Sequence, residues 1–426
     1  MSHIDVAKIE LDQIVNVEPL KTDASFKRMM YFCVAVGVFT MSYGLYVGDP
    51  YHVWAAYYTN LIFWMGLAAG SCVIPAIFQI VRAAWSPPVR RLAEANLAFL
   101  PYAFLLFLVT YFGREYIFPW AREPMPGREW WMQADFVYLR FTVLLGLLFL
   151  LMYRYIRMSL RGDIGLLKER AADKDKWSGW PYDAMVMGWG GAASEVKVIQ
   201  PKLSWNAPVL IIAYAVIYSL FAFEMIMAMD TIWYSNMFGG FIFIGNIYLG
   251  WAVLCMSVTY YTSTNSQYAK VIRGQQFWDL GKLTFGFCIL WAYLFFSQFL
   301  PQWYGNLPEE TQWLILRTRE YPWKGLGWAV LGMSFILPFI LLLSRDIKKT
   351  PIILSTVCLI IFIGMWLERY ILVMPQISPD FIPFSAVELG IFFGFLGAYV
   401  LSISNFLSKY PFLPLSHPLT YGETDW

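Results

Sequence analysis

The sequence predicts an all-α integral membrane protein of about ten transmembrane helices. Three observations carry that prediction. Apolar residues make up 59% of the chain and charged residues only 14%, against about 45–50% and roughly 25% in a soluble domain. The apolar excess is gathered into recurring runs of 20 or more residues, each long enough to cross roughly 30 Å of hydrocarbon as a helix. The runs are continuous rather than alternating, which argues against an outer-membrane barrel.

The spans fall at about 29–48, 53–81, 96–114, 135–157, 207–229, 237–261, 278–300, 324–344, 351–373 and 386–406. Residues 1–28 form a polar arm with no early apolar core, so no cleavable signal peptide is expected, and the first span serves as both signal and anchor. The arm's stretch HIDVAKIELDQIVNVEPL alternates apolar and charged residues, as an interfacial helix, a strap on a partner or a frayed tail would. Pro75, Pro101 and Pro338 lie inside spans, where neighbouring helices can satisfy the carbonyls they free. One side of the membrane collects 22 Lys and Arg in its loops and tails, and the other collects 6. That bias places both termini in the cytoplasm. The transmembrane domain is thus 29–406, with a C-terminal tail at 407–426. The basic segment 154–205 reads as a cytoplasmic loop, bounded at 158–206. It is too short and too poor in aliphatic residues to be a domain. Two outer loops, 114–134 and 301–323, are rich in Trp, Pro and Glu, and suit a docking face.

Helices 2–5 and 6–9 look like two copies of one four-helix unit, flanked by helices 1 and 10. Asn60 in helix 2 matches Asn246 in helix 6, Pro119 matches Pro301, and Glu224 in helix 5 matches Glu368 in helix 9. Units four helices apart share one orientation, which makes a parallel repeat.

Chemistry is bounded first by what is missing. The three histidines are His3, His52 and His417. Two lie in the tails and one at the outer mouth of helix 2, so no pair inside helices can hold a haem iron. The five cysteines sit singly in apolar runs and read as small core residues. No cofactor or metal of the chain's own is expected. Buried polarity is the positive signal, because an ionisable group at mid-bilayer costs at least about 2.5–3.5 kcal/mol. Glu224 and Glu368 are the preferred groups, either as proton-exchanging carboxyls or as hydrogen-bonded structural residues near helix ends. Asp230, Arg140 and Glu388 follow. Arg369 adjoins Glu368, but neighbours in a helix point to different faces, so each needs another partner. Lys282 is expected to snorkel. Asn60 and Asn246 either line a polar path or join helices. Gly66-x-x-x-Gly70 and Gly390-x-x-x-Gly394 permit close helix contact. The many aromatic residues suit core and belt positions, or a quinone or lipid surface.

The ten spans with two parallel units resemble the NrfD/polysulfide-reductase membrane subunit family. The segments FEMIMAMDTIWYSNMFGGF, MWLERYILVMP and FLPQWYGNLPEETQWLILR are most similar to its ActF-type members, subunits of bacterial alternative complex III. The resemblance covers nearly the whole membrane region, and YGNLPEET is its most specific part. It implies a respiratory complex that oxidises menaquinol or ubiquinol and passes electrons to cytochrome c or an oxidase. The implied partners are a second, ActC-like NrfD subunit holding the quinol site, a periplasmic iron–sulfur subunit, multihaem and monohaem cytochrome c subunits, small membrane subunits, a terminal oxidase and lipids, with no nucleic acid. Quinol, haem c and iron–sulfur clusters then belong to partners. The resemblance carries Glu224, Asp230, Glu368 and Arg369 over as parts of a proton path. The quinol-site histidine of ActC-like members has no intramembrane counterpart here, which counts against a separate quinol site. Two alternatives stand beside this reading: a chain with its own quinol pocket near the outer face, and a secondary transporter.

Overall fold

The computed structural model describes residues 18–171 and 173–421. Most of the N-terminal arm, including His3, lies outside them. The described residues form an all-helical architecture, with no strand. Ten helices are long and apolar enough to cross a membrane, and the chain is a multi-pass membrane protein. They are α1 (Ala24–Val47), α2 (Pro50–Ile80), α3 (Pro87–Ile117), α4 (Ala134–Arg170), α5 (Lys197–Met229), α6 (Phe238–Thr264), α7 (Gly274–Gly305), α8 (Trp323–Leu343), α9 (Pro351–Ile377) and α10 (Ala386–Leu407). The start of the described chain meets its end, where Pro19 bridges to Pro411. Both ends of the described chain therefore share one face, called here the terminal face; the opposite one is the far face.

Several helices run past the apolar windows. α4 continues to Arg170, and the helix containing α5 begins at Ala192. The expected loop 158–206 is thus largely helical, with only about 171–191 left as connection. Hydropathy marks where a helix is greasy, while backbone hydrogen bonding continues wherever the residues are good helix formers, as in RMSLRGDIGLLKER. α3 likewise starts at Pro87 and not near 96.

α2 is the hub. Its apolar window is 94% buried, against 17% for α1 and for α7. It touches α3, α5, α6, α9 and α10. α6 packs against it and also touches α5, α7 and α9.

Small residues set the closest crossings. A side-chain carbon at Gly66 or Gly70 would strike Asn246 of α6, and one at Gly394 would strike the backbone of Gly37 in α1. Both glycine pairs read from the sequence are thus packing devices, as small-residue motifs are in lipid.

One internal proline, Pro338, is met as expected. Pro338 cannot donate to the carbonyl of Ser334, four residues back. A π-turn at Gly332–Ile336 absorbs the distortion, and the Tyr248 hydroxyl of α6 donates to the Ser334 carbonyl at 3.0 Å. Pro101 follows a 3₁₀ turn at Ala95–Phe99, and the Asn96 side chain caps the carbonyls of Leu92 and Ala93.

Candidate functional site

Three helices carry polar groups to one depth. Asn60 lies ten residues into α2 from the far face, Asn246 eight into α6, and Glu368 nine from the end of α9. At about 1.5 Å per residue, all sit roughly 12–15 Å below that face. All are buried. Arg369 Nη1 donates to Glu368 Oε1 at 2.7 Å, and its Nη2 donates to Asn246 Oδ1 at 3.0 Å. Trp366 Nε1 donates to Asn60 Oδ1 at 3.0 Å. The expectation that Glu368 and Arg369 would need separate partners is corrected. An arginine side chain is long enough to curl back along its own helix, although the two Cβ vectors diverge.

This layer ties α2, α6 and α9 together and leaves two loose ends. Glu368 Oε2 and Asn246 Nδ2 are buried with no protein partner. Arg369 neutralises the carboxylate but fills only one of its oxygens. An orphaned buried polar atom costs about 1–3 kcal/mol.

Glu224 is held differently. It lies in a π-turn, Ala222–Ile226, near the far end of α5. Oε1 accepts from Trp131 Nε1 at 2.8 Å, and Oε2 is ion-paired with Arg140 Nη2 of α4. The Arg140 guanidinium stacks over the Trp131 ring at 4.2 Å, an added cation–π attraction. Both Glu224 oxygens are therefore engaged. Asp230 follows α5, accepting from the backbone N–H groups of Ile232 and Trp233 and from Gln376. Glu388 closes a capping box with Ser385 at the start of α10. Those two are turn and cap residues. Lys282 keeps a half-exposed ammonium 2.5 Å from Asp279, in keeping with snorkelling.

Above Glu368 lies a chamber of about 80 Å³. Its walls include Trp233, Trp291, Trp313, Gln302 and Arg317, with Glu368 on the inner side. Arg317 belongs to the far-face helix Pro308–Thr318, formed by the PEETQWLILRT stretch. It is buried without a carboxylate in contact. Nε donates to Ile371 O and Nη1 to Trp313 O, both at 2.9 Å, and the guanidinium lies 3.9 Å over the Trp313 ring. Burial pushes its pKa down to about 9, opposed by the charge of Asp230, so it stays protonated at neutral pH. Trp313 stacks in turn on Trp233 at 4.0 Å. Arg317 and Gln302 were missed from the sequence because both fall in the stretch read as the outer loop 301–323, where a polar residue is the norm.

The terminal face holds a second buried cluster the sequence reading missed. Arg91 is ion-paired with Glu94 and with Asp163 of α4, and Arg90 donates to Glu94 at 3.1 Å and Gln79 at 3.0 Å. Asp163 accepts from Ser416 N and Oγ at 2.7 Å, and Arg91 Nε donates to Pro411 O. These charges fasten the C-terminal segment onto α3 and α4. They were assigned to loops, so their burial was invisible. The Arg90/Arg91-to-Glu94 spacing, three and four residues apart at a helix start, was the available signal.

A third feature is a groove of about 510 Å³ between α6, α9 and α10, floored by Trp64, whose Nε1 has no protein partner. Among the described residues no group of three or more His, Cys, Asp or Glu is placed to hold a metal ion. Compared with known proteins, the chain matches no protein-family model and no curated protein sequence.

Proposed function

We propose that the chain is a cofactor-free membrane subunit of a respiratory quinol-oxidising complex of the alternative complex III type, in which Glu368 exchanges protons while a partner subunit oxidises quinol. On this reading it lies in a bacterial cytoplasmic membrane with the terminal face in the cytoplasm. Its partners are the ActC-like subunit, the iron–sulfur and cytochrome c subunits and the small membrane subunits, with electrons passing to cytochrome c or an oxidase. The sequence segments around Glu224, Glu368 and YGNLPEET support the family side of the proposal.

One observation supports the proton side. Glu368 is buried with Oε1 on Arg369 and Oε2 without a protein partner. A carboxyl so placed can gain or lose a proton at Oε2 while keeping the hydrogen bond that Arg369 donates to Oε1. Glu224 differs in that both of its oxygens already accept from side chains, Trp131 on one and Arg140 on the other. The two glutamates thus divide into a proton-exchanging group and a structural one.

The test is the proton-to-electron stoichiometry of the intact complex. Glu368→Gln is expected to lower it by a large fraction with quinol oxidation largely retained. Glu224→Gln should act mainly through stability. An unchanged stoichiometry in the double variant would sink the proposal.

A further inference from the structure

We propose that the groove floored by Trp64 is a binding site for one acyl chain of an anionic phospholipid from the terminal-face leaflet. The proposal is independent of what Glu368 does.

The groove arises from how the helices pair. α10 packs against α1 and α2, while α6 packs against α2 and α9. The two sets are joined through α2 and stand apart beside it, leaving about 510 Å³ between them. The mouth lies at the terminal-face ends of the helices, at Phe26 of α1, Tyr260 of α6 and Ser404 of α10. The inner end is Trp64, near the middle of α2, with Phe362, Phe392 and Tyr399 around it. Their ring centroids lie 5.8, 5.5 and 5.0 Å from that of Trp64. The Tyr399 hydroxyl is taken up by Asn96.

Three measures fit an acyl chain. Length is the first. Phe392 and Ser404 are twelve residues apart on α10, about 18 Å at 1.5 Å per residue. One leaflet's hydrocarbon is roughly 15 Å deep. Volume is the second. Benzene, with six carbons, sits in a cavity of about 150 Å³, or ~25 Å³ per carbon. On that scale the 510 Å³ of the groove takes about 20 carbons, which is one long acyl chain. A partner's helix does not fit, since about 10 Å of width over one leaflet fills roughly 1,200 Å³.

Charge is the third measure, and it selects the headgroup. Lys21, Lys27 and Arg28 flank the mouth residues Thr22 and Phe26, with Asp23 the single acid between them. None of the three cations is in an ion pair among the described residues. Basic side chains at headgroup level attract anionic lipid. Within a bilayer no hydrophobic gain favours one apolar surface over another. What holds a chain here is contact with the walls of five helices and the charge at the mouth.

The test is photolabelling of the full-length protein in phosphatidylcholine nanodiscs. These are doped with phosphatidylglycerol carrying a diazirine midway along one acyl chain, and labelled peptides are mapped by mass spectrometry. Segments carrying Trp64, Phe362 and Phe392 are expected to label saturably. Tyr293 of α7, 61% exposed, reports bulk lipid and should rise without saturating. The same diazirine chain on phosphatidylcholine should label the groove several-fold less. Leu396→Trp narrows the groove from α10, and should remove the groove label while leaving that on Tyr293 and the thermal midpoint unchanged. Lys27→Gln with Arg28→Gln, at the surface, should bring phosphatidylglycerol down to the phosphatidylcholine level. Groove labelling that rises with Tyr293 and never saturates overturns the site. Equal labelling by the two headgroups overturns the anionic assignment. Displacement of the groove label by a short-chain quinone overturns the phospholipid as the occupant.

Discussion

Glu224 and Glu368 look alike in sequence, and what separates them is the number of their oxygens already spoken for. A single residue's role here depends on partners far along the chain, 84 positions away for Arg140 and 93 for Trp131 on Glu224. His417 is a second case. A histidine in a tail reads as solvated, yet it is buried, with Nδ1 accepting from Leu419 N at 3.3 Å and Nε2 lying 3.2 Å from Gln79 Oε1. Burial, helped by the charge of Arg90, holds its pKa well below 6.5. The unfolded segment therefore binds a proton before the folded one does. The stability contributed by the neutral ring is complete above about pH 6.5 and is lost as the pH falls below it. Amide exchange at residues 415–420, corrected for intrinsic rates, is expected to accelerate on acidification, and His417→Gln should flatten that dependence. A pH-independent protection factor would contradict it.

At the scale of elements, helix contacts are set by glycine and proline. α1 is largely exposed along its length and is held to α10 by a crossing in which Gly37 and Gly394 meet backbone to backbone. Gly394→Leu forces the two helices apart. Overpacking of this kind costs about 1–3 kcal/mol, so the thermal midpoint of the purified protein should fall. Gly286→Leu, on a face of α7 with nothing within 4 Å, should leave it unmoved. Equal shifts from the two substitutions would mean that the α1–α10 crossing does not hold α1 in place. The Tyr248 hydroxyl on Ser334 shows the same economy, with one helix supplying the donor that a proline in another removed.

At the scale of the molecule, the chamber and the groove separate two readings of quinol chemistry. The chamber is too small for a ring, whereas the groove floored by Trp64, at about 510 Å³, exceeds the roughly 150 Å³ that benzene takes. On the proposed function, a photoreactive quinone analogue is expected to label the proposed quinol-oxidising partner and to spare this chain. Saturable labelling around Trp64, Phe362 and Tyr399 would instead assign the chain a quinol site of its own.

Ten spans, their approximate limits and the two glycine pairs were legible in the sequence. Burying a greasy surface and closing small-residue contacts are properties of a stretch of some twenty residues, and composition reports them directly. The ends of α4 and α5 were not legible, because a helix can run on through polar residues that hydropathy counts as loop. Nor were the charge cluster on the terminal face or the chamber under the far-face helix, since each joins residues from three or more elements. The sequence by itself determined that Glu224 and Glu368 lie inside the membrane span. Only the tertiary structure decided that Arg140 and Trp131 occupy both oxygens of the first, while Arg369 leaves one oxygen of the second free. Hydrogen-bond satisfaction is settled by which side chains arrive within about 3 Å, and that distance is a property of the packed bundle.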